Sequence, residues 1–242
     1  MAELIEDRAI VLHVKDWQTA DKYVLCFSRD HGKLRFVAYG ARYGKNAQGR
    51  LLQPFAHVQL VVQLGQRLDK LKECSLYAPP LPMDIKQMAY GSVITELTAL
   101  FTEDHQPQED LYDLLEQVLG LLGKRNPRVL VSAFAIKLLG LAGLAPYMEA
   151  CVGCGGSVGG DGFFSKDQGG LLCCNCNKGS EACSKGVQDL WQQLAAVDLA
   201  NPTGLKIKGQ DLMDLERLLY KLLLFHTDKP LKSLDFLSQL GL

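Results

Sequence analysis

The chain has 242 residues, 48% of them apolar and 22% charged, with 26 Lys+Arg against 27 Asp+Glu and a formal net charge of −1. Those values exclude a disordered tail, a collagen-like repeat and a disulfide miniprotein, and the length suits one large domain or two small ones. The near-zero charge argues against nucleic acid as a partner only until its distribution is seen. Residues 1–80 hold 12 basic and 8 acidic side chains, and His31 to Leu68 carries Lys33, Arg35, Arg42, Lys45, Arg50 and Arg67 without one Asp or Glu. A basic N-terminal block precedes an acidic remainder.

In chain order, Ala9 to Val14, Lys22 to Phe27, Lys33 to Tyr39 and His57 to Leu64 are short, rich in β-branched and aromatic residues, and partly alternating. They predict strands. His31-Gly32 predicts a tight turn, Gly40 to Gly49 a long loop, and Gly65-Gln66 the turn into a last strand near Leu68 to Tyr77. Five short strands with a long basic loop predict a small closed barrel of the OB type over residues 1–79. Pro79-Pro80-Leu81-Pro82 ends the strand pattern. From there the apolar period changes to about 3.6, predicting helices near 85–102, 110–123 and 127–142, with Pro127 in a first turn and Gly143 as a stop. Further helices are predicted near 184–197, with Ser184 as N-cap, and near 211–226 and 231–240. The fold class expected is α+β: an OB barrel followed by an α-helical domain over 83–242 that is interrupted by a module over 148–183.

No apolar run reaches the ~20 residues of a membrane span, and Glu3, Glu6, Asp7 and Arg8 break the stretch where a signal peptide would have its apolar core. An intracellular, soluble protein is expected, so metal binding reads better than disulfides for the eight Cys. Four of them spell Cys151-x2-Cys154-x18-Cys173-x2-Cys176, the spacing of a four-thiolate zinc site. Gly153, Gly155 and Gly156 suit its tight turns, and Asp161 to Leu172 predicts a small hairpin between the knuckles. Unrelated thiols or a redox dithiol would not need two CxxC turns. A four-Cys site has no open position for a catalytic water, so the zinc is expected to be structural. Cys174 and Cys183 read as non-ligands, and Cys26 and Cys74 as core thiols.

The five His are scattered, and the chain has no phosphate loop, nucleophile elbow or dinucleotide fingerprint. Asp110, Asp113 and Glu116 share a helix face and read as a solvated acidic face. No enzyme is expected. A barrel with a groove of cations and aromatics binds single-stranded nucleic acid, and Phe36, Tyr39 and Tyr43 interleave with the basic residues.

His31-Gly32-Lys33-Leu34, Gly40-Ala41-Arg42 with Lys45, and Leu52-Gln53-Pro54-Phe55 resemble the N-terminal barrel of the RecO family of DNA repair proteins. Cys151-Val152-Gly153-Cys154-Gly155, Phe163-Phe164-Ser165, Gly169 to Cys173 with Cys176, and the segment His226 to Leu237 are similar to that family's zinc module and closing helices. The chain departs from the pattern at Thr19-Ala20 and at Asn46, where the family often has Ser. The resemblance implies a recombination mediator of the RecF pathway that binds single- and double-stranded DNA and anneals complementary strands. It also implies that, with RecR, the protein helps load RecA onto DNA coated by the single-strand-binding protein SSB, in a bacterial cytoplasm and at the nucleoid; participation of RecF stays open. Lys33, Arg35, Arg42, Lys45 and Arg50 are the expected phosphate-binding face, with Arg67 as an extension, and one structural Zn2+ is expected on Cys151, Cys154, Cys173 and Cys176. For the acidic C-terminal tail of SSB, the stretches Leu97 to Phe101 and Phe134 to Leu139 offer apolar residues, with Arg128 and Lys137 as cations. A zinc-ribbon RNA-binding or transcription-associated module is the alternative, and strand annealing in the presence of SSB separates the two.

Overall fold

The computed structural model describes residues 3–43 and 46–241. Five strands, β1 (Leu4–Trp17), β2 (Asp21–Ser28), β3 (Gly32–Ala38), β4 (His57–Gln63) and β5 (Asp69–Leu76), close into a barrel in the order β1-β2-β3-β5-β4. All pairings are antiparallel except β3 with β5, which is parallel through Phe36 and Val37 against Asp69 and Lys70. A short helix, α1 (Ala47–Leu51), lies between β3 and β4. This order, with a helix at that connection, is the OB architecture expected from the sequence.

The barrel interior is filled by alternate residues of every strand, among them Ile5, Ala9, Val11, Val24, Cys26, Leu34, Phe36, Val58, Leu60, Val62 and Cys74. Yet β1 is continuously buried from Ala9 to Leu12, and on β2 Cys26 and Phe27 are both buried. A strand covered on both faces loses its polar alternation. The outer cover here is helical: β1 packs on α2 (Ile85–Phe101), and the Phe27 ring lies 6.4 Å from that of Tyr112 on α3 (Glu109–Leu121). α2 begins on a capping box, Asp84 accepting from the Gln87 amide while the Gln87 side chain accepts from the Asp84 amide. α7 (Lys232–Gln239) returns to pack on α2, so the first compact unit comprises Met1–Pro127 and Leu231–Leu242.

The second unit, Arg128–Pro230, holds α4 (Pro127–Leu141) apart from its first residue, a small sheet and the helices α5 (Lys185–Ala196) and α6 (Gly209–Thr227). The sheet has the order β7-β6-β8, from β6 (Gly162–Ser165), β7 (Gly170–Leu172) and β8 (Glu181–Cys183). The predicted hairpin is β6-β7, and β8 is an added edge that the sequence pattern did not announce. Ser184 caps α5, accepting from the Val187 amide at 3.2 Å. Among the described residues no helix is long and apolar enough to cross a membrane.

Candidate nucleic-acid interface and metal centre

The long loop after β3 is a built arm. The Gly40 amide donates to Asp21 Oδ1 at 2.8 Å, and the Arg42 amide donates to the Ala20 carbonyl at 2.9 Å. The Arg42 guanidinium donates to the Thr19 carbonyl at 3.1 Å and pairs with Asp16 at 3.1 Å, which fastens the arm to the β1–β2 turn. Asn46 caps α1, its Oδ1 accepting from the Gly49 amide at 2.9 Å. Lys22 Nζ donates to the Gly49 and Leu52 carbonyls at 2.7 and 3.2 Å and closes the other end of α1. Gly49 is required there, since a Cβ would lie 2.1 Å from the Ala41 carbonyl oxygen.

The five expected phosphate ligands divide. Arg42 and Arg50 stand on this arm, and both are exposed. Arg35 projects from β3 with a half-exposed side chain and pairs with Asp104 at 3.1 Å. Lys45 lies outside the described residues. Lys33 is a correction: it is 5% exposed, and its Nζ donates to the carbonyls of Ala99, at 2.9 Å, and Thr102 at the C-terminal end of α2. A cation there satisfies orphan carbonyls and the helix dipole, which takes it away from any phosphate. Burial lowers the affinity of its amine for a proton, opposed by Asp104. Arg67 is exposed in the turn before β5. Of the three aromatics, Phe36 is in the barrel core, whereas Tyr39 and Tyr43 are exposed.

Two further expectations are corrected. Asp113 and Glu116 are not simply solvated: Asp113 pairs with Arg29 at 2.5 Å, and Glu116 Oε1 accepts from the Tyr77 hydroxyl at 2.6 Å. Tyr77 also meets Tyr112 Oη at 2.7 Å and His57 Nδ1 at 2.9 Å, a partly buried junction of β4, the residue after β5, and α3. The stretches proposed for an acidic tail are largely core, since Leu97, Phe134 and Leu139 are fully buried. Their cations are engaged as well, Arg128 with Glu216 at 2.6 and 2.9 Å and Lys137 Nζ with the Ala195 carbonyl at 2.8 Å.

In the second unit, Cys151, Cys154, Cys173 and Cys176 bring their sulfurs within 4.8 Å of one another, with Cys154 and Cys173 at 3.9 Å. Four sulfurs about 2.3 Å from a central zinc are spaced about 3.8 Å apart, so the donor set fits a tetrahedral thiophilic ion. The Cys173 amide donates to Cys151 Sγ at 3.3 Å, and that bond heads the causes that pull the Cys151 thiol down to about 6. The Cys176 thiol is pushed up to about 12 by the three sulfurs beside it. Crowded thiols of this kind can all ionise only around a cation. Gly155, at φ 73, makes the left-handed turn of the first knuckle, and its amide donates to the Cys151 carbonyl at 2.8 Å. Cys174 is exposed, outside the cluster; Cys183 is buried, with its thiol pushed up to about 12 by desolvation. Cys26 and Cys74 are buried in the barrel, as the strand pattern implies.

Family comparison covers nearly the whole chain. Residues 1–80 match the family described as Recombination protein O N terminal, and residues 82–235 match Recombination protein O C terminal. The DNA repair protein RecO of Symbiobacterium thermophilum is 33% identical over 241 residues, covering 96% of this chain and 95% of its own. The DNA repair protein RecO of Pelotomaculum thermopropionicum is 29% identical over 244 residues, covering 99% and 95%. A barrel in OB order, a four-cysteine cluster in the helical part and matches over both halves lead to one conclusion: the chain belongs to the RecO family of DNA repair proteins.

Proposed function

We propose that the protein is a recombination mediator whose barrel, residues 1–79, binds single- and double-stranded DNA by its phosphates and anneals complementary strands. The observation that carries this reading is a closed OB barrel whose acid-free stretch, His31 to Leu68, includes the fastened arm after β3 that presents Arg42 and Arg50. Neutralising phosphates lowers the repulsion between two strands, and holding a strand by its backbone leaves base edges free to pair. No nucleotide hydrolysis is needed for that step. Arg35 and Lys45 belong to the same proposed set; Lys33 does not.

Family membership supports the remaining parts of the reading: engagement of RecR and of the SSB tail, and help in loading RecA onto SSB-coated DNA. One Zn2+ would be held by Cys151, Cys154, Cys173 and Cys176, where it cross-links a segment too short to fold unaided. The four thiolates close its coordination, and the Cys173 amide orients Cys151.

Binding measured as a function of salt tests the DNA face. Each phosphate contact to a single strand contributes about 0.7 to the salt slope, so Arg42→Ala with Arg50→Ala should lower it by about 1.4. An unchanged affinity and slope would remove these residues from the interface. Annealing of SSB-covered complementary strands tests the mediator reading, which fails if SSB blocks the reaction.

A further inference from the structure

The strand register sets an aromatic pair on the outside of the barrel that neither family membership nor the basic arm assigns. Val14 and Val24 pair across β1 and β2 and point to the core, so the alternate pair Lys15 and Tyr23 faces outward, with Trp17 two residues along. The rings of Trp17 and Tyr23 are 5.7 Å apart at 38°, and both side chains are only partly buried. Lys15 Nζ lies over both, 5.4 Å from the Trp17 centroid and 4.8 Å from that of Tyr23. The same face continues through His13 and Leu25 to Arg35 on β3. Of the carboxylates around this face, Asp21 is buried and occupied by the Gly40 amide, whereas the exposed Asp104 and Asp16 pair with Arg35 and Arg42, so Lys15 is the cation that stands over the rings. Arg42 sits at the adjoining turn, bonded to the Thr19 carbonyl.

We propose that Trp17 and Tyr23 form a stacking platform for the bases of a single strand whose backbone the neighbouring cations hold. This deepens the DNA-binding reading and rests on it. A cation over an exposed ring contributes only about 2- to 5-fold to an equilibrium, whereas an aromatic–base stack contributes about 5- to 150-fold per base. A base therefore displaces Lys15 from the rings, and the released ammonium is left beside the incoming phosphate. Stacking needs no hydrogen-bond pattern, so the platform takes any base, as a protein that anneals arbitrary strands requires.

The chain has two tryptophans, and Trp191 is buried in the second unit, so a change in emission on adding DNA reports Trp17. The experiment titrates full-length protein with oligo(dT) of about 15 nucleotides, within the range of one barrel, and with an abasic strand of equal length and charge. Oligo(dT) should quench the emission and bind more tightly than the abasic strand. Trp17→Ala should weaken oligo(dT) binding about 5- to 150-fold while leaving abasic-strand binding and its salt slope unchanged. Trp17→Phe, which keeps a ring, should retain most of the affinity and lose the quenching. Tyr23→Ala should give the same base-dependent loss and serves if Trp17→Ala does not fold. The platform is overturned if wild type binds both strands equally without quenching, or if both alanine variants bind oligo(dT) like wild type. Wild type that binds neither strand overturns the DNA-binding reading as well.

Discussion

Lys33 and His57 show how a side chain of ordinary surface type is recruited inward. Lys33 sits in an alternating, basic stretch that reads as solvated, but its stem is covered and its ammonium bonds two carbonyls at the end of α2. Only the partner helix, remote in sequence, reveals this. Lys33→Met should therefore destabilise the fold by about 2–4 kcal/mol, because charge-assisted bonds are lost and buried acceptors are left unpaired. Chemical denaturation measures that loss, and the salt slope of DNA binding should not move. His57 is 6% exposed, and its Nδ1 meets the Tyr77 hydroxyl, which itself donates to Glu116. Its Nε2 is buried with no hydrogen-bond partner among the described residues. A second ring proton would be buried unpaired there, and desolvation holds the imidazole below its ordinary 6.5 despite Glu116. The unfolded chain thus takes up this proton first as pH falls below 6.5, so the His57 contribution to stability is lost with acid. Stability measured against pH should fall less steeply below 6.5 in His57→Gln than in wild type, and an unchanged slope would clear His57 of the effect.

Among the secondary-structure elements, the long ones were legible because their periodicity is strong over many residues. Four of the barrel strands and six of the helices stand where the apolar period places them to within about two residues at their ends, whereas β1, expected over Ala9 to Val14, extends to Leu4 and Trp17 through its pairing with β4 and β2. The misses were short. α1 spans five residues that include Gly49, and it persists through the Asn46 cap and the Lys22 ammonium rather than through propensity. β8 is three residues, Glu181–Cys183, which exist as a strand only because β6 offers an edge. The four-cysteine cluster was legible because both of its turns are local in sequence; the Trp17–Tyr23 pair was not, since it depends on register across the β1–β2 hairpin. α7 adds a case of the same kind. Glu96, in the middle of α2, accepts from the Lys232 and Ser233 amides at 3.0 and 2.8 Å and from the Ser233 hydroxyl. A carboxylate on the free amides of a helix start both caps it and meets its dipole. Glu96→Ala should cost about 1–2 kcal/mol, and amide hydrogen exchange should accelerate in α7 before it does in the barrel. Equal acceleration in both would mean that α7 is not held by this cap.

For the molecule as a whole, a net charge of −1 conceals a division of labour: residues 1–80 carry +4, and the remainder carries −5. In the proposed binding mode, an acidic remainder is repelled by a phosphate backbone, which would direct a strand to the barrel and to the arm. The two compact units divide stability in the same way. The first closes its own core within a five-stranded barrel, whereas the sheet of the second has strands of only four, three and three residues beside a Gly-rich run at 153–162. Strands so short do not stand alone, and structural zinc in small modules contributes about 10–16 kcal/mol to folding. Stripping the metal with a chelator, or replacing Cys154 with Ser, should therefore open amide exchange across 151–183 while the barrel amides keep their protection. Cys174→Ser should change neither metal content nor exchange, because that thiol is exposed and lies outside the cluster. DNA affinity of the chelated protein should stay within about 2-fold of the loaded form if the barrel carries the phosphate contacts, since no contact counted in the salt slope is lost. Loss of barrel protection or of DNA binding on chelation would show instead that the metal supports the first unit.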